Sequence, residues 1–529
     1  MTTDQNYQQI YRVGGMLDAG FVGQITYTIS LDQVYDELDI HFSFDKRLYS
    51  ESDVTPELID RLQTLCTAKY DAPTYPVEEF RQTILHEMKT EIHTMAELND
   101  NFIGCIHRQL TDRHMLYTKE FTSDGCLAQD TFSGVLKVTV LVFNVLLDNT
   151  QYTLTVSGHP VGQGVIAPNF NLMDTVKTAA GNTGASNDAG SADNSCEAES
   201  VPASAVAMAG SSGVSGAGSA ATAGDSSTTG SSSAGNTVTA STRFKRLELH
   251  NHTVESDGSL TCQELTEYLA ADHVDAFAIT DHNTTSGQKK IEQLLEEKHY
   301  PISLIRGMEY TTYFGHILCL NLAKYVPWNS IDQHRPELLF EAAREKGALV
   351  GIAHPFSYGD PFARGCRFEM TVSDYSKVDF IEIFNNPEPL HEVNERGTNL
   401  WMSLIFSGYQ ITATSGMDLH NRAKLAGCYA TYIEGKSGGN IASELDTAIH
   451  THRTWVSKGA LLLTEVLPET NELLLTFTDA HKPGFAVPKT AQVVLKGKDK
   501  TFTTSVSLDK PVRVSLNQLS GTDPIIPLL

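Results

Sequence analysis

Leu249-His250-Asn251-His252-Thr253-Val254-Glu255-Ser256-Asp257-Gly258 closes one strand-like run of the chain, and Ala278-Ile279-Thr280-Asp281-His282-Asn283-Thr284 closes the next. Alternate side chains of an extended backbone share a side, so His250 and His252 point toward one place. Outward from this stretch the same arrangement repeats in Gly307-Met308-Glu309, Gly315-His316-Ile317-Leu318, Ala353-His354-Pro355 and Ser415-Gly416-Met417-Asp418-Leu419-His420. Strands are expected at 246–250, 276–280, 303–307, 316–321, 349–353, 380–384 and 410–414, with helical patterns at 261–271, 287–298, 337–346 and 394–407. Strand followed by helix, repeated, predicts an α/β domain over 243–460 with a parallel, barrel-like sheet. The carboxyl ends of such strands meet at one mouth, where residues distant in sequence become neighbours. His250, His252, Asp257, His282, Glu309, His316, His354, Asp418 and His420 all fall at strand ends. Imidazole and carboxylate without thiolate suit zinc, manganese or iron.

These six ordered motifs resemble those of the PHP (polymerase and histidinol phosphatase) superfamily, and within it the CehA/McbA-type metallohydrolases. The resemblance implies a distorted seven-stranded βα barrel with up to three divalent ions. One ion would take His250, His252, Glu309 and Asp418; a second would share Glu309 and add His316 and His354; a third would take Asp257, His282 and His420. Met417 stands where relatives often carry a small Ser. A hairpin-like turn through Tyr310–Gly315 is needed to bring His316 to Glu309.

The rest of the chain divides by composition. Of the 65 residues from Thr178 to Thr242, 49 are Gly, Ala, Ser or Thr, so 176–242 is expected to be a disordered linker. Residues 1–175 are expected to form an accessory α+β or sandwich-like domain. Within it Pro76 begins a helical stripe of Val77, Phe80, Ile84, Met88, Ile92 and Met95, and Leu136, Val138, Val140 and Val142 line one face of a strand. His86, His93, His107 and His114 read as surface or capping residues, because no carboxylate or cysteine cluster accompanies them in sequence. Alternating runs across 461–529 predict a small all-β domain.

The formal charge is −25 over 529 residues, which opposes extended nucleic-acid binding. No apolar run of spanning length and no basic, then apolar, leader is evident, so a cytoplasmic protein that does not engage membranes is expected. The eight cysteines are scattered singly and read as reduced thiols.

The expected chemistry is hydrolysis of a small phosphate ester, of a metabolite or a nucleotide. Bound ions would acidify a bridging water to a hydroxide nucleophile and stabilise charge at phosphorus. Glu309, Asp418 and His354 would be the catalytic residues, with His354 as a proton donor. Arg364, Arg367 and Arg422 would contact substrate, because their loops leave the metal-bearing strand ends. Glu382 and Asn385 are candidates to orient ligands, as is Asp281. Two alternatives use the same sequence: a hydrolase of carbamates or carboxylic esters, and a non-catalytic ligand-binding scaffold. The sequence leaves the oligomeric state open.

Overall fold

The computed structural model describes residues 7–45, 48–70, 74–108, 110–146, 148–161, 208–209, 242–385, 392–481, 486–519 and 524–529. Apart from 208–209 and 242, the expected linker lies outside the described residues.

The N-terminal unit is a single antiparallel sheet with two helices. Its elements are β1 (Gln8–Leu17), β2 (Gly23–Phe44), α1 (Pro56–Tyr70), α2 (Val77–Glu87), β3 (Glu91–Leu98), β4 (Asn101–Ile106), β5 (Asp112–Tyr117), β6 (Phe132–Asn144) and β7 (Thr150–Pro160). The strand order is β1-β7-β2-β6-β3-β4, with β5 on β2. The expected helical stripe from Val77 to Met95 is therefore corrected. The helix stops at Glu87, Met88 turns extended, and Ile92 and Met95 lie on β3. The sequence Thr90-Glu-Ile-His-Thr94 alternates and is rich in β-branched residues, and pairing with β4 and β6 outweighs its accidental helical spacing.

The part of this sheet formed by β3, β4 and the second half of β6 is buried on both faces. Ile92, Ala96, Leu136, Val138, Val140 and Val142 pack into the unit's own core. Met95, Leu141 and Phe143 face the other way, into a cluster with Met308, Tyr310, Ile317 and Ile383. Burial on both sides explains why β6 reads as a nearly unbroken apolar run.

The second unit begins after β8 (Met208–Ala209) with β9 (Thr242–Glu248), α3 (Cys262–Ala271), β10 (Ala276–Ile279), α4 (Ser286–Lys298), β11 (Ser303–Thr312), β12 (Gly315–Leu320), α5 (Glu337–Glu345), β13 (Leu349–Ile352), β14 (Phe380–Asn385), α6 (Glu392–Phe406) and β15 (Thr412–Gly416). The helices begin where their sequences say they should: Thr261 and Glu264 form a reciprocal capping box at α3. Six strands run parallel, but β12 is antiparallel to both β11 and β13, so the expected all-parallel sheet is corrected at one position. The reversal matters for function. A strand that runs backward brings its first residues, not its last, to the mouth where its neighbours end.

Two further strands, β16 (Ala430–Lys436) and β17 (Thr454–Ser457), flank α7 (Ile441–His450); β16 runs antiparallel beside β9, and β17 antiparallel beside β16. Ser415 donates its backbone N–H to Thr431 Oγ1 at 2.8 Å, and Thr454 Oγ1 donates to the Ala413 carbonyl at 2.8 Å. These bonds join β15 to β16 and β17, so the sheet curls into a nearly closed barrel. The expected C-terminal strands are present as β18 (Ala460–Leu467), β19 (Glu472–Asp479), β20 (Thr490–Lys496), β21 (Thr501–Ser507), β22 (Val512–Ser515) and β23 (Ile526–Leu528). Strands β18, β19 and β22 form a separate sheet, while β20, β21 and β23 extend the barrel sheet through β8. Among the described residues no helix is long and apolar enough to cross a membrane.

The two large units share polar contacts as well as core. The Gly125 N–H donates to Glu255 Oε2 at 3.0 Å, Thr284 Oγ1 donates to the Gly125 carbonyl at 2.9 Å, and Tyr313 Oη donates to the Gly23 carbonyl at 2.9 Å. Phe143 sits at the centre of this seam, its ring 4.7 Å from Tyr313 and 4.6 Å from His93. Phe143→Ala should lower unfolding free energy by about 3–5 kcal/mol, read as a lower urea midpoint. An unchanged midpoint would show that the units fold without this contact.

Candidate metal centre

The centre is assembled at the barrel mouth by backbone that is itself bolted in place. Between His250 and His252, Asn251 points the other way: its N–H donates to Thr280 Oγ1 at 2.9 Å and its Nδ2 donates to the Ala278 carbonyl at 2.9 Å. Asp281 accepts from the Thr253 N–H and hydroxyl and from Ser256 Oγ at 2.7–2.9 Å. It therefore shapes the turn that leads to Asp257, rather than orienting His282 or facing the cluster. Burial raises its carboxyl to about 6.

Glu309 is fully buried on β11 and is the hub. Its Oε1 lies 2.9 Å from His316 Nδ1 and 3.1 Å from His354 Nε2. Its Oε2 lies 3.1 Å from His250 Nε2, 3.0 Å from His282 Nδ1 and 3.4 Å from His252 Nε2. Because β12 is reversed and pairs Thr311 with His316, the β11–β12 hairpin carries His316 back to Glu309. Asp418 Oδ1 approaches His252 Nε2 at 2.9 Å and His250 Nε2 at 3.4 Å. Asp257 Oδ1 lies 3.3 Å from His420 Nε2 and 3.6 Å from His282 Nε2. All nine sequence-predicted ligand candidates thus meet at one mouth. Two tight groups stand out: His250, His252, Glu309 and Asp418; and His252, Asp257, His282 and His420.

The donor set fits divalent cations by its own hydrogen-bonding account. His250 Nε2, both ring nitrogens of His252, Asp257 Oδ1, Glu309 Oε2, His316 Nε2, His354 Nδ1 and Asp418 Oδ1 are buried without a hydrogen-bond partner. Such groups are expensive unless something else satisfies them. His354 at φ 23° and Asp418 at φ 49° hold left-handed backbone, a strain of about 1–3 kcal/mol each that gathers at functional positions.

The charges are mutually arranged. Burial opposes ionisation of Glu309, yet His250, His316 and His282 hold its carboxyl well below the usual range. Asp418 is held down by His250 and His420, and Asp257 by His282 and His107, in each case against burial. Burial, with His282 and His420, lowers His252 to about 3 and leaves it a neutral imidazole. His420 resists burial and rises to about 10 between Asp418 and Asp257.

A supporting layer lies behind these groups. Glu382 accepts from His250 Nδ1 at 3.0 Å and from the His354 backbone N–H at 3.1 Å, and Asn385 Nδ2 donates to Glu382 at 3.0 Å. A side chain at Gly416 would press on His250 and Glu382, which the bare glycine allows to approach. Met417 turns into a hydrophobic cluster with Leu260 and Leu265, away from the pocket, and only its N–H meets a polar partner, Glu248 at 2.7 Å.

The three predicted substrate cations are each engaged elsewhere. Arg364 pairs with Asp360 at 2.9 Å, Arg367 lies over the rings of Tyr70 and Phe356, and Arg422 lies over Tyr268.

The reading of His93 and His107 as surface or capping residues is corrected, since both are buried, while His86 and His114 are exposed as expected. Asp257 Oδ2 is 3.5 Å from His107 Nε2, and the His107 ring stacks on His282 at 4.1 Å. His93 pairs with Glu91, while His114 pairs with Asp39 and lies beside His41 and Asp112. Asp257 and Asp39 come from distant parts of the chain, which sequence proximity does not reveal, whereas Glu91 lies two residues from His93 on β3. The available signal was Glu91-Ile-His93, the same alternation as His250-Asn-His252. His86 is an exposed residue of a helix end.

Residues 7–160 match the model of a family of unknown function (DUF6669). The chain is 30% identical over 112 residues to an uncharacterised protein of Methanocaldococcus jannaschii, covering 21% of this chain and 58% of that one. It is 36% identical over 141 residues to a 5′-3′ exoribonuclease of Haemophilus influenzae, covering 25% and 50%, and 34% identical over 79 residues to the 5′-3′ exoribonuclease Rnm of Escherichia coli, covering 14% and 27%. The chain thus spans little more than half the length of these relatives at most. Among solved structures, a two-domain protein with a PHP-like metal-dependent phosphoesterase from Bacteroides vulgatus aligns over 54% of this chain and 87% of that one, at 14% identity and a TM-score of 0.33. A metal-dependent phosphoesterase from Bifidobacterium adolescentis aligns over 39% and 96%, at 18% identity and a TM-score of 0.27.

Proposed function

We propose that the chain is a metal-dependent phosphoesterase of PHP type, related to CehA/McbA enzymes, that hydrolyses a small phosphorylated metabolite or nucleotide. The observation that carries this reading is the set of buried, unpartnered imidazole and carboxylate atoms gathered around Glu309. His250, His252, Glu309 and Asp418 would hold one ion; Glu309, His316 and His354 a second; and Asp257, His282 and His420 a third, with His252 beside it. Zinc, manganese or iron, when bound, supplies Lewis acidity and brings the pKa of bound water toward neutrality. Glu309 spans two of the proposed positions with separate oxygens. Glu382 fixes the tautomer of His250 by accepting a hydrogen bond from its Nδ1–H, which leaves Nε2 free to ligate. His354 turns Nε2 to Glu309 at 3.1 Å, so it would serve as a ligand beside Glu309 and, when not ligating, as the proton donor to the leaving oxygen. Asp257, Asp418 and His420 are the partly exposed members and would mark the side from which substrate enters. Arg364 and Arg367, in the loop after His354, and Arg422, after His420, would meet phosphate oxygens only by leaving their present partners.

A second reading, removal of nucleotides from RNA in the 5′-to-3′ direction, is favoured by the names of the Haemophilus influenzae and Escherichia coli relatives. The net charge of −25 restricts that reading to short ends rather than long tracts.

Metal-replete protein should release phosphate from small phosphomonoesters or cleave a dinucleotide, and Asp418→Asn should cost roughly a thousand-fold in kcat/KM, about 4 kcal/mol of transition-state stabilisation. Activity confined to aryl esters or carbamates would move the assignment to the carboxylic ester alternative. Metal replete yet inert protein across all these substrates would favour a scaffold.

Glu382→Gln, which keeps the shape and loses the charge behind His250, should weaken metal affinity or activity about 10–100-fold without altering the fold by circular dichroism.

Ligands bind metal only when deprotonated, and His420 is held above its ordinary value, so protons compete with the ion at neutral pH. Apparent metal affinity should rise as pH rises from 6 toward about 9, with protons released on binding. Titration calorimetry in buffers of different ionisation enthalpy reads that release; a pH-independent affinity would contradict it.

A further inference from the structure

The face of the N-terminal sheet that meets the barrel is apolar except at one spot. Met95, Cys105, Leu141 and Phe143 line it. Among them stand Glu91, His93 and His107, which are 6%, 0% and 4% exposed. Their convergence follows from strand geometry. Glu91 and His93 are two apart on β3 and share a face. The β3–β4 register pairs Thr94 with Ile106, which sets His107, just past β4, opposite His93. His93 Nε2 lies 3.2 Å from Glu91 Oε1, and the two imidazole rings are 3.8 Å apart. One ligand atom from each of the three falls within 4.8 Å of the others, and His107 Nδ1 is buried without a hydrogen-bond partner.

We propose that Glu91, His93 and His107 hold a divalent metal ion of their own, supplied by the N-terminal unit and set against the barrel centre. Two imidazoles and one carboxylate form a three-ligand set of the kind that binds zinc and leaves a further position open. The three groups are buried, and a cation would give His107 Nδ1 a partner while binding the Glu91 carboxylate and the His93 ring beside it. The site touches the barrel centre through His107, whose Nε2 approaches Asp257 Oδ2 at 3.5 Å and whose ring stacks on His282. The row of ligand-type residues thus continues across the seam between the two units. The assignment stands on these three residues and does not depend on which bond the barrel hydrolyses.

The test uses the full chain, loaded with Zn²⁺, freed of excess metal and analysed for metal content and for anomalous scattering in crystals. An anomalous peak is expected within about 2.0–2.2 Å of Glu91, His93 and His107 donor atoms. The conservative pair His93→Gln with His107→Gln should lose about one zinc per chain relative to wild type. A barrel variant, His250→Gln with Asp418→Asn, should lose barrel zinc and keep the peak at Glu91. Zinc peaks in the barrel with none between Glu91, His93 and His107 would overturn the proposal while leaving the barrel reading intact. A peak at Glu91 with none in the barrel would support it and defeat the barrel reading. If the histidine pair does not fold by circular dichroism, the wild-type anomalous map decides alone.

Discussion

The structure of the mouth depends on one buried carboxylate. Glu309 is enclosed by β11, β12 and the ends of β9 and β10, and five histidines direct ring nitrogens at its two oxygens. A lone carboxylate there would take up a proton to avoid the cost of burial. Surrounded by imidazoles, Glu309 stays ionised, and the imidazoles are drawn into a fixed constellation. The backbone obeys the same constraint. His354 and Asp418 accept left-handed conformations, and Gly416 gives up its side chain so that His250 can rest on Glu382.

The N-terminal unit belongs to this arrangement rather than standing beside it. Its sheet spends one face on its own core and the other on the barrel, and the polar spot in that second face lies against Asp257 and His282. The loop after His354 is held from the same side: Arg367 packs on Tyr70, and Tyr70 Oη donates to the Asp360 carbonyl. Access to the mouth is therefore shaped by two units.

Much of the barrel was legible because its signals are local. Strand runs, the helical pattern at 261–271 and the placement of His250, His252, His282, His354 and His420 at strand ends need only a few neighbouring residues to be read. Glu382 was readable as a supporting residue for the same reason, since it lies on the expected sixth strand, on β14. What could not be read depends on distant pairing. The β11–β12 hairpin was legible in the turn through Tyr310–Gly315, but the antiparallel ladder of β12 with β13 was not. The stripe from Val77 to Met95 fits a helix until β4 and β6 claim its second half as a strand. His107 reads as an ordinary histidine until docking carries it to Asp257, and the three arginines look free until their aromatic and carboxylate partners arrive from elsewhere in the chain.

The double burial of β6 has a consequence for how the protein is made. Residues 7–160 leave the ribosome before any barrel strand exists, so the sheet can complete its own core while Met95, Leu141 and Phe143 remain uncovered. Their partners, Met308, Tyr310, Ile317 and Ile383, are synthesised well over a hundred residues later. During that interval the nascent chain displays an apolar face of the kind that chaperones and neighbouring chains bind. The period of greatest exposure to aggregation is thus set by the distance in sequence between the two units, and it ends only when the barrel closes against the sheet.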